Sequence, residues 1–214
     1  MIFRKFLIIF VPKSKKIKHM KPTNFTKKLL FFGLFALLLS SGAYAQKRAA
    51  IKTNALYWGT LSPNIGGEIA LPGNYTVEIT TGFNPFSFSN DRQWKHWMIT
   101  AEFRYWLFEP FNAHFFGVHY LGGIYDVGGF SLPFRTFDGL SDRRARGNAN
   151  GVGISYGYNW IIGNNLALEA MIGGGFVRFN YDTYPLGNNG VRLGSNSRNF
   201  FGPTRVGVSL VRVF

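Results

Sequence analysis

Six charged side chains carry most of the chemistry available in this sequence: Glu68, Glu78, Glu102 and Glu169, with Arg104 and Arg205. Each sits in a stretch where oily residues alternate with Gly, Ser and Thr, and each falls on the small, polar parity. In a strand, alternate residues face opposite sides, so these six share the non-oily face of their strands. Carboxylates held away from water need ionic or hydrogen-bonding partners. The pattern therefore predicts an interior charge network, with simple solvent exposure at strand ends as the plainer alternative.

Other motifs promise less. Gly153-Ile-Ser155-Tyr-Gly157 satisfies G-x-S-x-G, but a nucleophile elbow needs a strand-to-helix turn, and here the pattern lies inside an alternating run. Gly151-x-Gly153 with Gly157 is not followed by a helical pattern whose N-terminus could take a phosphate. His114 and His119 lie five apart with no carboxylate spaced to complete a metal site, and no cofactor is expected. Arg135, Arg143, Arg144 and Arg146 fall in a long connection between strands, where a basic loop can meet lipopolysaccharide phosphates or simply be solvated.

The amino-terminal residues indicate the compartment. Residues 1–45 hold nine Lys or Arg and no acid. Lys21, Lys27 and Lys28 precede the apolar run Leu29 to Leu39, and Ala43-Tyr44-Ala45 follows. Basic region, short apolar core and small-residue site in that order make a secretory signal peptide cut before Gln46. The apolar run is too short for a spanning helix of about 20 residues. Met20 opens a signal of ordinary length, so residues 1–19 read as an over-long gene start or an extended basic region. Removing residues 1–45 leaves 15 Lys and Arg against 10 Asp and Glu, so the formal charge falls from +14 to +5. A nucleic-acid partner loses its electrostatic basis with that fall. The sequence contains no Cys, hence neither disulfides nor thiolate metal sites.

The segments that must position the charges are eight candidate strands between Ala49 and Phe214, in one domain over residues 46–214. They are Ala49–Tyr57, Asn64–Leu71, Tyr75–Phe83, Trp97–Phe108, Phe116–Ile124, Gly151–Trp160, Leu166–Phe176 and Thr204–Phe214. Short turns at Pro72, Pro110 and Asn164 alternate with longer connections at 84–96, 128–147 and 183–198. Short turns on one rim and long loops on the other suit an outer-membrane barrel. The last strand puts Val206, Val208, Leu210 and Phe214 on its oily parity, interrupted by Arg212, and is expected to close against the first. Trp97, Tyr105, Trp106, Tyr158 and Trp160 cluster near strand ends, where amphipathic rings suit membrane interfaces.

The runs IKTNALYWGTLSPNIGGEIAL, WKHWMITAEFRYWLFEPFNAHFFGVHYLGG, ISYGYNWII and FGPTRVGVSL resemble a domain-of-unknown-function family of short outer-membrane β-barrel proteins of Gram-negative bacteria, often encoded near fimbrial genes. That resemblance covers nearly all of residues 46–214 and implies fold and location without an activity. The expected protein is an all-β, eight-stranded, closed antiparallel transmembrane barrel with a structural or interaction role and no catalysis. Its expected partners are outer-membrane lipid and lipopolysaccharide, the barrel-assembly machinery, and surface or fimbrial proteins. Two alternatives stay open: a small lipid A-modifying enzyme built on His119 and Ser155, and a narrow channel, which the charged interior opposes.

Overall fold

Alternating β-branched and aromatic residues favour extended backbone, because such side chains pack well on a pleated surface. The computed structural model describes residues 48–87, 92–130, 141–186 and 190–214. They form eight antiparallel strands hydrogen-bonded in a ring: β1 (Ala49–Asn54), β2 (Asn64–Ala70), β3 (Tyr75–Asn84), β4 (Gln93–Trp106), β5 (Ala113–Gly128), β6 (Arg143–Ile161), β7 (Leu166–Pro185) and β8 (Gly194–Val213). Each strand pairs with its chain neighbour, and β8 closes on β1 with Lys52 opposite Val211 and Asn54 opposite Ser209. At that seam Arg48 N–H donates to Phe214 O at 2.8 Å, and Phe214 N–H to Ala49 O at 2.8 Å. The strands are not spread evenly round one axis, and they differ in length: β1 has 6 residues whereas β7 and β8 have 20 each. The signal peptide expected over residues 1–45 and the side chain of Arg135 lie outside the described residues.

Two expectations about where strands end need correction. The first strand does not reach Tyr57. It stops at Asn54, and Ala55–Gly59 form a short helix, α1. The Asn54 side chain accepts the Leu56 N–H at 3.0 Å, so it caps the helix and turns the chain, which alternation alone does not register. The connections 128–147 and 183–198 are also shorter than expected. Arg143, Arg144 and Arg146 belong to β6, paired with β5 and β7, and form no loop. The strand ends expected at Gly151, Phe176 and Thr204 lie where the oily parity stops or breaks. Backbone ladders do not need oil: β6 and β7 run on with polar outward residues, and β8 runs on past a break in its parity.

Polarity across the wall is inverted relative to a water-soluble fold. Ile154 is 69% exposed and Phe201 86% exposed, while Arg104 is 0% exposed. The interior is layered. Toward the short turns lies an apolar cluster that includes Trp106, Phe115, Met171, Val211 and Val213. Toward the long connections lie Leu121, Ala149 and Val177, flanked by Tyr125, Phe179 and Phe200. Between them sits the charged layer. Trp106 is thus no interface residue: it has the inward parity of Glu102 and Arg104, and its Nε1–H donates to Thr76 Oγ1 at 2.9 Å.

The ladder between the last two strands has one irregularity. The β7–β8 register shifts between Gly173, opposite Arg205, and Gly174, opposite Pro203, so Thr204 is an extra residue in β8. Such a bulge bends the strand and re-aims a side chain. Here it flips the parity of β8, so Thr204 and Arg205 both meet interior groups.

Candidate functional site: a buried ionic layer

The layer is assembled by cross-strand register. Glu68 lies opposite Glu78, and Glu78 opposite Glu102, so three carboxylates run side by side across β2, β3 and β4. Directly opposed like charges destabilise a sheet, so cations from other strands must reach between them. Arg104 does most of this. Its Nη1 donates to Glu68 Oε2 at 3.0 Å and Glu169 Oε2 at 2.9 Å, and its Nε to Glu102 Oε2 at 2.6 Å. The guanidinium carbon stands 4.2 Å above the centre of the Phe115 ring, which gives the cation a second, quadrupolar partner. Arg205, delivered by the bulge, reaches Glu78 with Nη2 and Glu102 with Nη1.

All six residues expected to form an interior network are therefore brought together: Glu68, Glu78, Glu102, Arg104, Glu169 and Arg205. The sequence reading missed a seventh. Lys52 Nζ lies 2.8 Å from Glu78 Oε2 and 2.9 Å from Glu169 Oε2, and also meets Glu68. Its signal was legible as the one cation on the inward parity of β1, between Ala50 and Asn54. Hydroxyls complete the carboxylate shells. Thr76 donates to Glu68, Thr80 to Glu78 at 2.6 Å, and Ser155 to Glu102 Oε1. Beside Lys52, Glu78, Glu169, Arg205 and Ser209 is an enclosed cavity of about 20 Å³, room for roughly one water molecule.

The remaining candidates separate. Ser155 is buried on Glu102 and within a strand, not on a nucleophile elbow. His119 faces the interior, with Nε2 2.9 Å from Thr204 Oγ1 and Nδ1 3.7 Å from Glu102 Oε1. His114 faces out, its Nδ1 2.7 Å from the Tyr156 hydroxyl and its ring edge-on to Tyr158. The odd spacing of the two histidines puts them on opposite sides of β5. Arg144 pairs with Asp126 of β5, while Arg143 and Arg146 are exposed. Val208 and Leu210 point outward and exposed, and half-buried Phe214 ends the seam with β1.

Geometry thus defines a class: an all-β ring with ions inside and oil outside. Residues 30–214 match the family described as protein of unknown function (DUF3575), and the chain belongs to that family. Neither the curated proteins nor the solved structures contain a match to it.

Proposed function

We propose that the ring is a closed β-barrel seated in the outer membrane, delivered there by the signal peptide of residues 1–45, with a structural or interaction role through its longer connections. One observation carries this reading. The outward face of six of the eight strands bears an apolar belt about as tall as a transmembrane strand, while β1 and β2, with 6 and 7 residues, are shorter and β2 shows Ile65 and Ile69 outward. It runs over Tyr75–Phe83, Trp97–Tyr105, Phe116–Ile124, Val152–Trp160, Leu166–Phe176 and Phe201–Leu210. Spanning β-strands need about 9–11 residues, and each of these segments has that length. Above the belt the outward positions become Lys95, Asp126, Asn150, Arg178 and Asn199. Exposed apolar surface beyond a few hundred Å² marks an interaction site, and a belt spread over six consecutive strands of the ring fits lipid better than one protein partner.

The ionic layer supports the same reading from inside. It fills the lumen with paired charge and makes the barrel a plugged scaffold, not a conduit. Lipid, lipopolysaccharide and the barrel-assembly machinery are the proposed partners, with surface or fimbrial proteins at the long-connection rim. The test is fractionation of cells that express the chain. Outer-membrane recovery, faster migration of unboiled than boiled protein, and an amino terminus at Gln46 are expected. Soluble recovery with an intact Met1 or Met20 start rejects the proposal.

One geometric feature favours a second reading, ester chemistry on a lipid. His119 lies in the interior between Thr204 Oγ1, 2.9 Å from its Nε2, and Glu102, whose Oε1 is 3.7 Å from its Nδ1 and not hydrogen-bonded to it, in the order nucleophile, base, carboxylate. The sequence had paired His119 with Ser155, but Ser155 bonds Glu102 instead. A fluorophosphonate probe that labels the wild type and not Thr204→Val supports this reading, and no labelling of the wild type removes it.

A further inference from the structure

Where β6, β7 and β8 meet at the bulge, the wall of the ring is built from Gly153, Gly173, Gly174 and Gly202. Inside, His119 lies against bare backbone: a Cβ placed at Gly153 would come 2.7 Å from its Nε2, and one at Gly173 3.1 Å from its Cε1. Outside the same wall is an apolar groove of about 400 Å³, lined by Phe116, Ile154, Tyr156, Ile172, Gly174 and Pro203. That volume falls within the range of about 300–1,000 Å³ typical of small-molecule sites. Gly174 holds the groove open. A Cβ there would meet only Gly202 O, at 3.6 Å, so the space in front of it is unfilled. Pro203 opposite has no N–H, so the ladder lacks a donor at this point.

Directly above the groove on the same face, the oil ends in a polar row. Arg178 of β7 lies between Asn150 of β6 and Asn199 of β8 in register. Arg178, Asn150 and Asn199 are all exposed, and the Tyr120 hydroxyl donates to Asn150 Oδ1 at 2.7 Å. Arg178 itself makes a long 3.5 Å hydrogen bond from Nε to Asn180 Oδ1, which leaves its outer donors toward the surroundings. From Gly174 to Arg178 is four residues, about 13 Å along a strand. A guanidinium matches phosphate oxygens by paired N–H donors. The amides round it carry carbonyl acceptors as well as N–H donors, so they can pair with sugar hydroxyls, which a phosphodiester group lacks.

We infer that this face is a built site for one phosphorylated, acylated glycolipid, with a phosphate on Arg178 among Asn150, Asn180 and Asn199 and an acyl chain in the groove at Gly174. The inference rests on the membrane reading above and deepens it, giving the lipopolysaccharide proposed there as a partner a defined site on the ring. It differs from the basic loop expected in sequence, for Arg178 lies on another strand, next to the belt.

The test uses processed, full-length protein extracted from outer membranes, stripped of lipid and offered bisphosphorylated lipid A, its dephosphorylated form, or phosphatidylglycerol. Native mass spectrometry counts the lipids retained. The wild type is expected to hold one lipid A, and the dephosphorylated form about tenfold more weakly. Gly174→Leu, which projects into the groove, should weaken retention about tenfold, and Ile172→Trp provides a second filler should that variant misfold. Arg178→Gln should abolish the preference for the phosphorylated form, whereas Lys95→Gln, on a different face, should leave it intact. Equal retention by wild type, Gly174→Leu, Ile172→Trp and Arg178→Gln overturns the site. So does phosphatidylglycerol held as firmly as lipid A. Unboiled gel migration separates the two failures. Compact protein with no lipid preference sinks this site alone, while a wild type that never migrates compactly sinks the membrane reading with it.

Discussion

The inner and outer surfaces of one wall differ more than any two elements of this fold. Along β8, Ser209 and Arg205 are buried, whereas Val208 and Val206, one residue away, stand exposed. The same inversion recurs on β4, where Arg104 is sealed between outward Phe103 and Tyr105. Under the membrane reading proposed above, a fold that hides its ions and shows its oil has an apolar solvent outside. The inner surface is held by directed ion pairs and close glycine packing, and the outer surface by little beyond non-directional burial. Changes to the two should therefore fail in different ways.

The largest effect should come from opening the ring. Deletion of Val211 to Phe214 removes the partners of Ala50, Ile51 and Lys52, three of the five paired positions that join β1 to β8. Unpaired backbone in hydrocarbon costs several kcal/mol per group. The truncated chain should lose compact migration on unboiled gels altogether. Retention of that migration would mean the seam is dispensable and the two surfaces are not walls of one closed structure.

Next comes the ionic layer. Arg104→Met strands four carboxylates with Lys52 and Arg205, and breaking a buried pair this way costs about 3–5 kcal/mol. Glu102→Gln should cost a similar amount, and the double variant clearly less than the sum, because the two share one contact. Urea unfolding in micelles measures all three. Small additive losses would place these side chains in water.

Glycine sharpens the contrast at lower energy. A Cβ at Gly157 would fall 2.3 Å from Phe115 Cζ and 2.8 Å from Ala170 O, so Gly157→Ala should cost about 1–3 kcal/mol by overpacking. Gly67 faces outward with nothing within 4 Å, and Gly67→Ala should cost nothing measurable in the same unfolding assay. Equal losses at the two positions would erase the difference between the faces.

The smallest expected effect tests parity directly. Val208→Asp puts a charge on the oily face and should cost up to about 2 kcal/mol, since acids near mid-membrane are less costly than Lys or Arg. Ser209→Asn adds a neutral polar group beside the enclosed cavity and should cost less. If Ser209→Asn proves the worse in thermal or urea unfolding, the inward and outward assignments of β8 are reversed.

The sequence by itself determined which side of each strand carries charge. A period of two is local and needs no knowledge of partners, so Glu68, Glu78, Glu102, Arg104 and Glu169 could all be placed on the inner face before any strand was paired. It also determined the number of strands and the alternation of short and long connections, because Pro72-Gly73-Asn74 and Gly163-Asn164-Asn165 are turns by their own backbone preferences. It did not determine where strands end. Asn54 could extend β1 or cap α1, and Arg143 to Asn150 could loop or pair, choices set by whether a neighbouring backbone is present to accept the ladder. Nor could it reveal the bulge at Thr204. An extra residue in one strand has meaning only against the register of the other, and that register is a property of β7 and β8 together. Tertiary structure alone set Thr204 on His119, Arg205 on Glu78 and Glu102, and an open groove on the outer side at Gly173 and Gly174.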